Sequence, residues 1–224
     1  MIVKIKRQSS PDTASYWQSF IYNGPKHVTV SAVLDALNYT DDLFDTEGKP
    51  AKRIRWECSC MQAVCGGCAM IINGTPALAC ETFADNGDND ELVLEPLSKF
   101  PVVADLIVER SIIHENLIRA KAYLEGRAEN RKKHHDQQYS VAKCLKCGLC
   151  LEVCPNYHPG AEFFGAVLAN EGYLVASQSA EKKPQVVKEY KKHFGTGCSK
   201  ALSCQSVCPV KIETLTSIMR MNRK

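Results

Sequence analysis

Twelve cysteines fall into three groups, and the spacing within each group is that of iron–sulfur ligands. The first reads Cys60-x4-Cys65-x2-Cys68, with Cys80 further on. The second reads Cys144-x2-Cys147-x2-Cys150-x3-Cys154-Pro155, and the third Cys198-x5-Cys204-x3-Cys208-Pro209. Spacings of four and two let a single loop wrap a plant-type [2Fe–2S] core, with the fourth thiolate arriving from elsewhere. Cys60, Cys65, Cys68 and Cys80 meet that requirement. In a C-x2-C-x2-C-x3-C-P run, three thiolates hold one cluster and the fourth crosses to another. By that rule Cys144, Cys147, Cys150 and Cys208 hold a [4Fe–4S] cluster, and Cys154 joins Cys198 and Cys204 at a second one. Each proline after a crossing cysteine stops a helix and lacks an N–H.

The third group lacks one ligand. A full repeat would carry cysteine where Ala201 stands, and alanine binds no iron. Three ligands point to [3Fe–4S]; the alternative is a fourth iron held by water, Ser199 or another residue. Gly66 and Gly67 are expected to bring the first loop close to sulfide, since glycine tolerates unusual dihedrals, and to aim N–H groups inward. Cys58 reads as a bystander thiol, because using it would open a gap of six that fits no ligand pattern. Zinc is the competing metal for C-x2-C pairs, but it favours pairs spaced well apart, often with histidine, and the crossed run does not fit.

The elements that must position these loops are legible in outline. Val3 and Ile5 alternate with Lys4 and Lys6 as in a strand, and Tyr16 to Tyr22 reads as its hairpin partner across a loop at Pro11-Asp12. Val30, Val33, Leu34 and Leu37 have helical spacing, with Thr29 or Ser31 as the cap. Residues 40–53 are polar and turn-rich. Asn73-Gly74, between Met70-Ile71-Ile72 and Ala77-Leu78-Ala79, predicts a hairpin that carries the chain back to Cys80. Leu92-Val93-Leu94 predicts a last strand. After Pro101 the pattern turns helical: Val103, Leu106, Ile107, Ile113 and Leu117, then Phe164, Val167, Leu168 and Val175, then Val186, Val187, Tyr190 and Phe194. Arg127–Gln138 reads as a polar connector, and no strand is expected past residue 100. The fold class is α+β: residues 1–100 form a β-grasp plant-type ferredoxin domain, and residues 101–224 an all-helical ferredoxin-like domain holding two clusters.

Composition sets the surroundings. No apolar run among the 224 residues reaches the roughly 20 needed to span a bilayer. The start, Met1 to Gln8, lacks a secretory signal pattern, so the chain is expected to fold in the cytoplasm, where reduced thiols favour metal over disulfides. Residues 1–109 carry 9 Lys+Arg and 15 Asp+Glu, a net charge of −6; residues 110–224 carry 19 and 10, a net charge of +9. A basic half suits anionic lipid, an acidic partner or nucleic acid, or is simply a solvated face. The acidic half and the ordered cluster series speak against nucleic acid.

These residues resemble the iron–sulfur subunit of succinate dehydrogenase/fumarate reductase. The resemblance rests on Cys60-Met-Gln-Ala-Val-Cys65-Gly-Gly-Cys68-Ala-Met, Asn73-Gly74, Leu78-Ala79-Cys80, Glu95-Pro96-Leu97, Pro101-Val102, Asp105-Leu106, the run Cys144 to Pro155, Phe163-Phe164-Gly165, and Cys198 to Pro209. It implies an electron relay on the cytoplasmic side of the membrane, peripheral and held by anchor subunits. FAD and the dicarboxylate chemistry would lie on a separate flavoprotein, and a quinone at the anchor interface. In that family the [2Fe–2S] end faces the flavin, [4Fe–4S] is central and [3Fe–4S] lies nearest the quinone. The absence of a G-x-G-x-x-G fingerprint agrees with flavin binding elsewhere. No catalytic acid–base set is expected here, and most of His27, His114, His134, His135, His158 and His193 read as surface residues.

Three departures from the family's pattern bear on function. Met61-Gln62-Ala63 replaces the usual Arg-Glu-Gly. Ubiquinone-reducing members carry a tryptophan soon after the crossing Cys-Pro, absent from Pro155-Asn156-Tyr157-His158-Pro159, and a histidine where Ser199 stands. Menaquinone or another acceptor fits better, with His158 either a quinone-side residue or a plain loop histidine. The alternative function is a relay in another flavin-linked oxidoreductase, such as a heterodisulfide-reductase-like complex. Such relays show two complete four-cysteine runs, against which Ala201 and the plant-type motif argue.

Overall fold

Val3 and Ile5 are fully buried while Lys4 and Lys6 look outward, so β1 (Ile2–Arg7) presents one apolar face. In the computed structural model, which describes residues 1–85, 91–129 and 135–223, that face begins a five-stranded sheet. β2 (Tyr16–Ile21), β3 (Ala69–Ile72), β4 (Thr75–Leu78) and β5 (Glu91–Glu95) complete it in the order β2-β1-β5-β3-β4. β1 and β5 pair parallel and the other pairs are antiparallel. Helix α1 (Val30–Asn38) buries Val30, Val33, Leu34 and Leu37. Thr29 caps it, its Oγ1 accepting from the Ala32 N–H at 3.3 Å. The Asn73-Gly74 turn has positive φ at both residues, 48° and 77°, as a tight two-residue hairpin requires.

The chain divides into two compact units, Met1–Glu109 and Arg110–Lys224, at the point where net charge changes sign. That division lies beyond the expected residue 100, and the helical pattern expected after Pro101 begins later too. Val102–Ala104 (β6) and Ile107–Val108 (β7) form a small antiparallel hairpin instead. Alternation explains it: Ala104, Leu106 and Val108 are buried, and Asp105 turns the chain at φ 47°. The spacing of Val103, Leu106 and Ile107 imitates a helix over too short a stretch to decide the period.

Asp105 also anchors this hairpin to the first unit. Its carboxylate, 2% exposed, meets the Arg7 guanidinium, 3% exposed, at 3.0 Å. It accepts the N–H groups of Gln8 and Arg55, each at 3.0 Å. Arg7 in turn donates to Gln18 Oε1 and to the carbonyls of Lys52 and Arg53. One buried ion pair thus ties β1, β2, the hairpin and the segment leading into the first cysteine loop. Burial pushes the Asp105 carboxyl up, but the Arg7 hydrogen bond and the two N–H donors outweigh it and hold it below the usual range.

The second unit is helical in its described residues: α2 (Ser111–Arg119), α3 (His135–Ala142), α4 (Leu149–Glu152), α5 (Gly165–Gln178), α6 (Lys183–His193), α7 (Ser203–Ser206) and α8 (Thr214–Asn222). The expected connector Arg127–Gln138 overlaps α3, where Gln137 is buried and donates to Ser217 Oγ at 3.1 Å; residues 130–134 lie outside the described residues. Central α5 is buried on nearly all sides, with α2, α3, α4, α6 and α8 packed around it. Its core partners include Val141, Val186, Tyr190, Ile212 and Met221.

Replacing Asp105 by alanine leaves the buried Arg7 charge unpaired and is expected to lower stability by about 3–5 kcal/mol in chemical denaturation. The carboxyl titrates lower folded than unfolded (about 3.9), so its contribution is complete above that value and is lost as pH falls through the folded one. Acidification below about pH 4 should therefore weaken the parent more steeply than Asp105→Ala.

Candidate iron–sulfur sites

The first cysteine loop turns its amides onto its sulfurs. Met61 and Ala63 hold φ of 54° and 56°, and Gly66 holds 77°. Alternation of left- and right-handed residues points successive N–H groups into one concavity, a nest that favours anions. Gln62 and Val64 donate to Cys60 Sγ at 3.4 Å, Ala63 to Cys80 Sγ at 3.3 Å, and Gly67 to Cys65 Sγ at 3.5 Å. Gly67 differs from expectation: it has no positive φ, and a Cβ there would meet only ordinary contacts at 3.7 Å. The special backbone positions sit at Met61 and Ala63, which composition does not mark.

Four sulfurs gather as two pairs. The hairpin delivers Cys80 to within 3.4 Å of Cys68, Sγ to Sγ, and Cys60 contacts Cys65. Thiolates sharing one tetrahedral metal with ~2.3 Å bonds stand about 3.8 Å apart. Two pairs are what a two-iron core needs, and the donor set fits it. The amides of Gln62 and Val64 lower the Cys60 thiol to about 7, while burial raises Cys68 to about 12. Cys58 is exposed beside this loop, its thiol pushed up by partial burial and by Asp35 and Cys65.

The second and third loops repeat one backbone. Lys146 and Gly148 have φ of 52° and 89°; Lys200 and Leu202, at the same offset from the third group, have 61° and 57°. Gly148 and Leu202 each cap a four-residue helix, α4 or α7, bearing Cys150 or Cys204 at its second position. Val153 and Val207 end those helices before Cys154-Pro155 and Cys208-Pro209. Ala201 occupies the place of Cys147 in this repeat. Ser203 Oγ donates to the Val153 carbonyl at 3.3 Å, stitching the two halves.

Cys144, Cys147, Cys150, Cys204 and Cys208 line one enclosed cavity. Cys204 in turn feels the charges of Cys154 and Cys198. Burial raises the Cys144 thiol to about 11 and Cys150 well above the usual value. Asn170, 4% exposed, lines the same cavity with Thr214. Its Oδ1 has no hydrogen-bond partner and its Nδ2 donates to Thr214 Oγ1 at 3.1 Å. With the amide ends exchanged, Oδ1 accepts from the hydroxyl and Nδ2 becomes a free donor on a residue that lines the cavity, which suits an electron-rich guest. Among the described residues no three His, Cys, Asp or Glu side chains converge on a single ion. Sulfurs around a polynuclear core stand further apart, because irons and sulfides fill the space between them.

Two residues of the second unit set the posture of this loop. Lys146 Nζ meets Glu171 on α5 at 2.6 Å, and Arg110 donates to the Cys147 carbonyl at 3.3 Å. Of the histidines, His27, His114, His135 and His158 are exposed and His134 lies outside the described residues. His193 is buried against Phe164, ring centroids 4.1 Å apart, a position that its place in a lysine-rich stretch conceals.

Comparison with known proteins agrees with this division. Residues 2–115 match the family described as a 2Fe-2S iron-sulfur cluster binding domain, and residues 140–212 the 4Fe-4S dicluster domain. The chain is 29% identical to the succinate dehydrogenase iron-sulfur subunit of Bacillus subtilis, covering 98% of this chain and 90% of that one. It is 30% identical to the fumarate reductase iron-sulfur subunit of Escherichia coli, over 93% and 86%. Its fold matches a chain of the Mycobacterium smegmatis Sdh1 complex in the apo form with a TM-score of 0.75 at 20% identity, covering 98% and 92%.

Ala63→Gly should raise the unfolding free energy by about 1 kcal/mol, since a left-handed residue with a Cβ is strained. Gly66→Ala should lower it by a similar amount. Denaturant titration followed by far-ultraviolet circular dichroism reads both; equal shifts of one sign would contradict this loop conformation.

Proposed function

The chain belongs to the family of succinate dehydrogenase and fumarate reductase iron–sulfur subunits, and from that membership we propose that it relays single electrons between the FAD of a flavoprotein partner and a quinone at a membrane anchor. Cys60, Cys65, Cys68 and Cys80 would hold [2Fe–2S]; Cys144, Cys147, Cys150 and Cys208 would hold [4Fe–4S]; Cys154, Cys198 and Cys204 would hold [3Fe–4S]. When bound, these clusters supply one-electron redox steps. The residues of the chain do the rest: thiolates anchor, loop amides offset negative charge, and helices α4 and α7 lead into the crossing cysteines. Dicarboxylate chemistry is assigned to the flavoprotein.

The observation that carries the three-iron assignment is the repeated backbone that leaves Ala201 where Cys147 stands. The third loop is also open: Ser199, Lys200 and Ala201 are exposed, as they would be beneath a partner. Ser199 stands where ubiquinone-reducing relatives use histidine, and Pro155-Asn156-Tyr157-His158-Pro159 holds no tryptophan, which supports a menaquinone-type acceptor. Among the described residues no helix is long and apolar enough to cross a membrane. From the family membership we adopt a peripheral place on the cytoplasmic face, held by anchor subunits.

Purified with its native partners, the chain should carry about 9 irons with an oxidised three-iron signal in low-temperature electron paramagnetic resonance. Ala201→Cys should convert that signal towards a four-iron species, because the residues flanking Ala201 repeat the left-handed positions that flank Cys147. Cys208→Ser should perturb the four-iron centre first and Cys154→Ser the three-iron centre first. An unchanged spectrum in Ala201→Cys, or the reverse pattern in the serine variants, would refute the crossed ligation.

A further inference from the structure

Between α5, α6 and α8 lies a cleft of about 430 Å³, within the size range of small-molecule sites. Its wall carries four cations, Lys183, Lys191, Arg220 and Arg223, and no carboxylate. Lys183, Val187 and Lys191 stand four residues apart on α6, so they share one face and span about 12 Å. Two other lysines of this unit are paired with carboxylates, Lys182 with Glu125 at 2.6 Å and Lys146 with Glu171 at 2.6 Å. Among the described residues Lys183, Lys191 and Arg223 have no such ion pair.

A second observation points into the same cleft. Tyr173 lines it and is only 4% exposed. Its hydroxyl lies beside Ser177 yet makes no hydrogen bond of good geometry. A buried hydroxyl without a partner is uncommon, and an oxygen-rich ligand would supply one. Arg220 stacks over the same ring, 5.8 Å from its centroid. Gathering four like charges around an unsatisfied hydroxyl is unfavourable in the free protein and favourable with an anion between them.

We propose that this cleft binds a phosphate ester. Arginine and lysine donors match phosphate oxygens in charge and geometry, with Tyr173 donating a further hydrogen bond. The cleft is larger than a bare phosphate requires, and Val187 and Met221 offer apolar wall to an organic remainder. The chemistry is shared by a phospholipid headgroup and a free phosphate metabolite. The site uses none of the cysteines, so it stands or falls apart from the electron-relay reading.

The test uses the full chain with its clusters, titrated with inorganic phosphate by calorimetry and sedimented with vesicles of phosphatidylcholine alone or equimolar with phosphatidylglycerol. Lys183→Gln with Lys191→Gln removes the two cleft lysines. Lys188→Gln with Lys192→Gln makes the same charge change on exposed positions of α6 outside the cleft. The cleft pair should weaken binding about tenfold or more and the control pair should leave it nearly unchanged. Tyr173→Phe should weaken it less while leaving circular dichroism unaltered. Retention on phosphatidylglycerol vesicles that depends on the cleft pair identifies a lipid headgroup; saturable phosphate binding without vesicle retention identifies a soluble ester. Failure of both probes, or equal loss in the cleft and control pairs, overturns the proposal.

Discussion

Sulfur held inside a protein as thiolate is a negative charge in a poor solvent, and the loops of this chain are shaped by that constraint. Buried thiols such as Cys68 and Cys150 resist ionisation, whereas Cys60, with two amides donating to it, ionises near neutrality. Within a tight loop, alternation of backbone hand lets successive amides converge on one sulfur. Among the described residues, six of the nine non-glycine positions with positive φ sit in or beside the cysteine loops: Met61, Ala63, Lys146, Lys200, Leu202 and Lys211. Each costs of order 1 kcal/mol, so the surrounding fold must hold them there.

The two units supply that restraint differently. In the first, a tight turn at Asn73-Gly74 brings Cys80 back to Cys68, and the Arg7–Asp105 pair pins the segment entering the loop. In the second, a buried helix, α5, is the post against which α4 and the two cysteine loops are set, with Glu171 reaching Lys146 and Asn170 reaching Thr214. Polar groups on so buried a helix are consistent with duties toward the loops rather than toward the core.

Legibility followed interaction range. The strand pattern at Val3 and Ile5, the Thr29 cap and the Asn73-Gly74 hairpin rest on neighbours in the chain, and the structure has each of them. The β6–β7 hairpin and the start of α3 were misread because their determinants are remote: Asp105 answers Arg7, and Gln137 answers Ser217. The αL positions at Met61, Ala63 and Leu202 were invisible for a related reason. Nothing in those side chains favours the conformation; the sulfurs and the chain around them impose it.

Residue order by itself determined the family, the two-part α+β organisation and the number of thiols available to metal, because ligand spacing along a loop is a local property. Only the folded chain decided which sulfurs approach one another, which amides serve them, and where four cations gather around a buried tyrosine. Those outcomes depend on contacts between segments tens of residues apart, and packing, rather than spacing, selects them.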